Sequence, residues 1–356
     1  MKTKRLASTN GLLISALLAG AMLACGSSDD KSTGNPHSGG GAGTAGASGG
    51  GGAGAAGTAG TGGFNPTWDA GPINADGGPI IPTNCDDAAK LVYVVTETDN
   101  AIYSFDPGKS LTQGAAAFVK IGVPPCPNAD PTSNPVNSMT LDRSRIAWVN
   151  YKDGNIYKVN LNANPLDCQP TGFVSGQFGF SPNVSMSYSS DRPDTDLETL
   201  YISDNTGDDT NAAGTGKGLA KVDLATMQIQ PEGTYTGPVN KGRCALTGTG
   251  EAKLYGFFTT SPSQYAEIGK TNSATPSSTQ LPAIDASSGG YAFSFWGGSL
   301  WFFTAPNGNT HNSTGMSTIS RYDLANAEIT FPVPDVGFVI VAAGVSTCAP
   351  LIPPIN

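Results

Sequence analysis

The chain has 356 residues, a net charge of -9, 47 Gly, 26 Pro and only 13% charged residues, and its pI is near 4.6. So acidic a balance excludes the clustered Lys and Arg that neutralising nucleic-acid phosphate requires, and it argues against attraction to anionic lipid surfaces. The Gly and Pro excess marks low-complexity sequence and many turns.

Lys2, Lys4 and Arg5 open the chain, and an apolar stretch follows from Gly11 to Leu23. That stretch is too short to span a bilayer, and the pattern over residues 1–24 is that of a secretory signal. The tetrapeptide Met22-Leu23-Ala24-Cys25 resembles the lipobox of bacterial lipoproteins, with Met22 where Leu is usual. The resemblance implies cleavage before Cys25, acylation of its thiol (palmitate or a similar chain) and a lipid-anchored place in the cell envelope. Two or more acyl chains anchor stably where one is marginal. Gly26 rather than Asp after the Cys implies, by the enterobacterial sorting habit, the outer membrane or the cell surface. An ordinary signal peptide cut near Ala24, or an uncleaved anchor, is the alternative.

Residues 25–84 read as the lipidated Cys followed by a flexible tether. From Gly39 to Gly63 every residue is Gly, Ala, Ser or Thr, which cannot bury enough apolar surface to offset chain entropy. Such a coil has a mean span of about 40 Å. Pro66, Pro72, Pro79 and Pro82 stiffen its approach to the fold.

From Leu91 onward one unit recurs: an apolar strand with an aromatic centre, a polar loop, and a second strand ending in Asp or Asn. The centres Tyr93, Trp148, Tyr201, Tyr255 and Trp301 lie 55, 53, 54 and 46 residues apart. Strand alternation at a near-constant period of this size predicts an all-β propeller over residues 85–356. The copy running from Ile146 to Leu161 resembles YWTD and NHL propeller repeats. The aromatics are expected to be core, packing blade on blade. Asn137 to Leu141, Val184 to Tyr188, Arg243 to Thr247 and Tyr291 to Phe295 are expected as innermost strands (A), preceding the paired strands B and C. The first unit lacks a strand of this kind, and Phe338 to Val345 supplies one. The C-terminus then closes the ring into the first blade. Five blades follow, with room for a degenerate sixth between Ser261 and Gly290.

Five cysteines remain besides Cys25, and an exported protein permits disulfides. Cys85 precedes strand B of the first blade and Cys348 follows its strand A, so both fall on one face and are expected to bond. Cys126 and Cys168 are expected on opposite faces, and their pairing and that of Cys244 stay open. With no Cys-x-x-Cys pair and almost no His, no metal site is expected.

No catalytic motif stands out. His311 is the one histidine beyond the tether, and there is no G-x-S-x-G elbow. The acidic segment Asp204 to Asn211 offers oxygen ligands for calcium but lacks the D-x-D-x-D-G spacing and the terminal Glu, so no cofactor is expected, with calcium the alternative. The connections Ser203 to Gly218, Thr304 to Thr318 and Gly122 to Val136 are long and, in a propeller, share one face. Long polar loops on a rigid scaffold are where binding resides, so Asp204, Asn205, Asp208, Asp209, Asn307 and His311 are candidate binding residues. The expected function is a non-catalytic envelope propeller, a monomer, that binds a protein or glycan partner through this face. An extracellular hydrolase or lyase using carboxylates there is the alternative, because a propeller fold hosts both.

Overall fold

A computed structural model describes residues 85–193, 195–206, 216–286, 289–305 and 315–354, all in the compact unit Asn65–Asn356. These residues form five antiparallel four-stranded sheets, the blades of a propeller. Strands β1 (Val92–Thr96), β2 (Ile102–Phe105) and β3 (Phe118–Gly122) begin the first blade. The second comprises β4 (Val136–Leu141), β5 (Ile146–Tyr151), β6 (Ile156–Asn160) and β7 (Asp167–Pro170). The third comprises β8 (Val184–Ser190), β9 (Glu198–Asp204), β10 (Leu219–Asp223) and β11 (Gln228–Gly233). The fourth is β12 (Cys244–Gly248), β13 (Leu254–Phe258), β14 (Gln264–Glu267) and β15 (Thr279–Gln280). The fifth is β16 (Gly290–Trp296), β17 (Ser299–Ala305), β18 (Thr318–Asp323) and β19 (Glu328–Val333). The last strand, β20 (Ile340–Gly344), pairs antiparallel with β1 and becomes the innermost strand of the first blade. Closure by the C-terminus removes the edge that β1 would otherwise expose.

The period-2 alternation of the second strands explains the recurring aromatics. In β1, Val92 and Val94 pack toward the fifth blade, while Tyr93 and Val95 pack toward the second. The same division puts Trp148 against the third blade, Tyr201 against the fourth, Tyr255 against the fifth and Trp301 against the first. Each repeat therefore sends one large ring forward into its neighbour. Trp148 meets Tyr188 edge-on at 6.0 Å between centroids, and Trp301 meets Phe105 at 5.8 Å. Because both faces are covered, β1, β13 and β17 are buried along their whole length. Burying one such side chain contributes about 1.5–3 kcal/mol.

The innermost strands are stitched by hydroxyls. Ser138 Oγ donates to the Val184 carbonyl at 2.5 Å, and Thr140 Oγ1 accepts from the Tyr188 N–H at 3.2 Å. Thr247 Oγ1 accepts from the Phe295 N–H at 2.9 Å. These bonds satisfy backbone groups on the channel-side edges, which have no ladder partner.

Two sequence expectations are corrected. The stretch from Ser261 to Gly290 holds no sixth blade among the described residues; it carries β14 and β15, the outer half of the fourth. Cys126 and Cys168 do not lie apart on opposite faces: they form a disulfide, with Cα atoms 5.1 Å apart. The reason is blade twist. Neighbouring strands rotate by about 20–25°, so the outermost strand lies roughly 60–75° from the innermost. It runs along the rim rather than from face to face. The end of β3 accordingly meets the start of β7, where a Cβ on Gly122 would lie 3.2 Å from Leu166 Cδ1. Cys85 and Cys348 are disulfide-bonded, with Cα atoms 5.7 Å apart.

Candidate functional site

The five innermost strands begin on the face that carries the long connections, and their first residues surround a cavity of about 190 Å3. Its wall is polar near the mouth, with Asn137, Ser138, Ser185 and Asn205, and it contains the ring of Tyr291. Asn137 Nδ2 donates to Asn150 Oδ1 and to the Val184 carbonyl, each at 2.9 Å. Asn205 Nδ2 donates to Ser185 Oγ at 3.2 Å. Tyr291 is held edge-on against Phe257, 6.3 Å between centroids, and the Arg243 guanidinium lies 5.9 Å from the Tyr291 ring centre. Among the described residues no ionisable side chain other than this phenol lines the cavity.

The other end of the channel is narrow and stoppered. A Cβ on Gly248, at the end of β12, would sit 2.0 Å from the Tyr188 carbonyl oxygen, so only glycine lets these inner strands converge. Beyond β20 the chain turns across the opening, and residues Val345 to Ala349 are buried. Thr347 Oγ1 accepts from Arg143 Nε of the second blade at 2.7 Å and donates to Glu198 of the third. Its carbonyl abuts Gly250 of the fourth, where a Cβ would lie 2.6 Å away. The Pro350 carbonyl accepts from the Gly297 N–H of the fifth at 2.7 Å. The disulfide to Cys85 fastens this segment. The channel is therefore a funnel open on one face only.

Beneath the stopper lies a buried ionic cluster. Arg143, with a side chain only 10% exposed, also bonds Asp196, Ser190 Oγ at 3.0 Å and the Thr195 carbonyl at 3.2 Å. Burial pushes the Glu198 carboxyl up to about 7, against the hydrogen bonds from Thr347 and the Arg143 N–H and the attraction of the Arg143 guanidinium. Perturbed carboxyls mark functional sites or structural ion-pair networks. With every arm of Arg143 engaged and the tail packed over it, this cluster clamps the stopper.

Of the sequence-derived candidates, Asp204 and Asn205 sit at the funnel face, at and just beyond the end of β9. Asp204 is wholly buried and its oxygens are engaged. Oδ1 accepts from the Ser181 N–H at 2.8 Å, the Thr206 N–H at 3.2 Å and the Thr206 hydroxyl at 2.8 Å, and Oδ2 accepts from the Lys217 N–H at 2.7 Å. It closes the base of the connection that follows β9. Asn205 is the candidate that reaches the cavity wall. Asp208, Asp209, Asn307, His311 and Cys25 lie outside the described residues. Among the described residues no three His, Cys, Asp or Glu side chains gather as a metal-binding group, and no helix is long and apolar enough to cross a membrane. Sequence reasoning did not single out Asn137, Ser138, Ser185 or Tyr291. The available signal was the polar residues at the opening positions of β4 and β8, weak because those strands carry further hydroxyls along their length.

No protein-family model matches the chain, and no curated protein sequence matches it. Among solved structures it is similar to a protein of unknown function from Bacteroides caccae, at TM-score 0.39 and 8% identity over 71% of this chain and 97% of that one. It is similar to the Dos1 propeller at TM-score 0.36 and 11% identity, over 72% of this chain and 60% of that one. A protein of unknown function from Bacteroides thetaiotaomicron VPI-5482 is similar at TM-score 0.39 and 9% identity, over 68% of this chain and 58% of that one.

Proposed function

We propose that this chain is a cell-envelope lipoprotein, anchored through acylated Cys25, whose propeller binds a protein or polysaccharide partner through its open face. The observation that carries the reading is the one-ended funnel. It opens on the face that bears the long connections, while the opposite mouth is stoppered by the chain's own tail. A concave site with a few convergent polar groups on a rigid scaffold is the usual form of a binding site. The lipobox resemblance and the Gly/Ala/Ser/Thr tether support display at the end of a flexible leash, at the outer membrane or cell surface. Among the described residues the funnel wall contributes no carboxylate.

The test uses the full chain with Cys25→Ser, which should lose detergent-phase partitioning while staying folded. Its binding to isolated cell envelopes should be saturable. A polyethylene glycol chain attached at Lys217→Cys, on the open face, should block that binding. The same chain attached at Lys253→Cys, on the stoppered face, should not. Equal effects at both positions, or membrane partitioning that survives Cys25→Ser, would overturn the reading.

A further inference from the structure

We infer that the funnel seats the terminal ring of a neutral saccharide, an inference that rests on the partner-binding reading above and names its ligand. Four features point the same way. No ionised side chain lines the described wall, and the Arg243 guanidinium, 5.9 Å from the Tyr291 ring centre, is not among the lining residues, so a charged ligand entering it would give up hydration without a direct ion pair. Of the polar groups present, Asn137 and Ser138 already donate to Asn150 and the Val184 carbonyl and Asn205 bonds Ser185, so what the wall offers ligand hydroxyls is chiefly the acceptor oxygens of amides and hydroxyls. Ala245 and Val341, both half-exposed on the wall, and the fixed ring of Tyr291 supply apolar surface for the C–H face of a sugar. The fourth feature is size and access. A cavity of about 190 Å3 lies below the roughly 300–1,000 Å3 of pockets for drug-sized ligands, which suits one ring rather than an oligomer. Since the tail closes the far mouth, a glycan enters end-on, and the funnel reads a chain end rather than an internal residue.

The experiment titrates the Cys25→Ser chain with methyl glycosides of neutral hexoses and N-acetylhexosamines, and with the matching uronic acids. At least one neutral glycoside should bind saturably and independently of salt, with its uronate about tenfold weaker or worse, because an unpaired buried charge costs more than 1.4 kcal/mol. Ala245→Phe should fill the funnel and abolish binding at an unchanged melting temperature. Should that variant fail to fold, Asn205→Ala and Ser185→Ala carry the test, and together they should weaken binding about tenfold. Uronates binding as well as neutral glycosides, or binding indifferent to all three variants, would overturn the inference. So would the absence of glycoside binding when envelope binding is still blocked by the chain at position 217, an outcome that leaves the partner-binding reading standing. Envelope binding indifferent to that chain removes the reading itself.

Discussion

Thr347 Oγ1 donates to Glu198 Oε2 at 2.7 Å across 149 positions of sequence. The same oxygen accepts from Arg143 Nε, 204 positions away, at 2.7 Å. One hydroxyl on the tail thus joins the second and third blades at the point where the first is completed. The arrangement costs desolvation of a carboxylate, and only its hydrogen bonds and the guanidinium beside it offset that cost.

Glu198 gives stability a pH dependence of known sign. Its carboxyl titrates at about 7 in the fold against an ordinary value of 4.5. Between those values the folded protein holds a proton that the unfolded chain releases. This contribution is therefore full below pH 4.5 and is lost as pH rises through about 7, and it amounts to about 3 kcal/mol. Asp142, also raised by burial, adds to the same trend, whereas Asp99, Asp130 and Asp223 are lowered and act only in more acid solution. Glu198→Gln keeps an acceptor for the Arg143 N–H. Its melting temperature should fall less than that of the parent between pH 5 and 7.5. Parallel profiles for the two proteins would show that Glu198 does not titrate in that window.

The two disulfides should differ in weight. Cys85–Cys348 spans 263 residues and Cys126–Cys168 spans 42. The chain-entropy model assigns them upper values of about 5.6 and about 4 kcal/mol. The first also fastens the stopper, while the second ties only the rim. The Cys85→Ser, Cys348→Ser pair should therefore lower the denaturant midpoint more than the Cys126→Ser, Cys168→Ser pair. The reverse order would mean that the stopper holds without its bond.

Deleting residues 338–356 removes β20 and the stopper together. Ile340 and Val345 are buried, and losing each costs about 1.5–3 kcal/mol out of a total stability of about 5–15 kcal/mol. The edge of β1 is exposed, Arg143 and Glu198 lose Thr347, and the longer disulfide disappears. Protease should then cut throughout the propeller. Cooperative melting near the parent temperature would show closure to be dispensable.

The middle strands were legible because burial on both faces makes them apolar, and because one ring per repeat must fill the gap to the next blade; the inner strands, with four Ser among the seven residues of β8, were placed by their position before each such pair. Even β20 could be placed, since Val92 to Val95 needed a partner that no preceding segment supplied. The outer strands were not legible. β7 is mostly exposed and β15 has two residues, so neither carries an apolar period, and the fourth blade's outer half left apparent room for another blade. The Cys126–Cys168 bond was hidden by twist, which a strand-direction argument omits. At the candidate site, loop length singled out Asn205, which lines the cavity wall. Asp204 has a carboxylate occupied by backbone donors, which composition cannot reveal. The Arg143 cluster joins residues 47 to 204 positions apart, and no local pattern encodes such pairings.

The remaining thiol offers a probe of global unfolding. Cys244 is wholly buried between the third and fourth blades, where its Sγ donates to Tyr235 Oη at 3.3 Å and lies 3.4 Å from Ser203 Oγ. Tyr235 in turn donates to Ser203 Oγ at 2.8 Å. Burial pushes the thiol up to about 11, against the pull of these hydrogen bonds. At pH 8 about one molecule in a thousand carries the reactive thiolate, and the packed blades bar reagent from it. Native protein with Cys25→Ser should therefore resist iodoacetamide, whereas denatured, unreduced protein should take up one equivalent. The labelling rate should rise with denaturant in step with global unfolding, because no smaller opening separates two blades joined by their aromatic core. Rapid labelling without denaturant would mean that the third and fourth blades part locally, contrary to the packing of Tyr201, Tyr235 and Phe258 around the thiol.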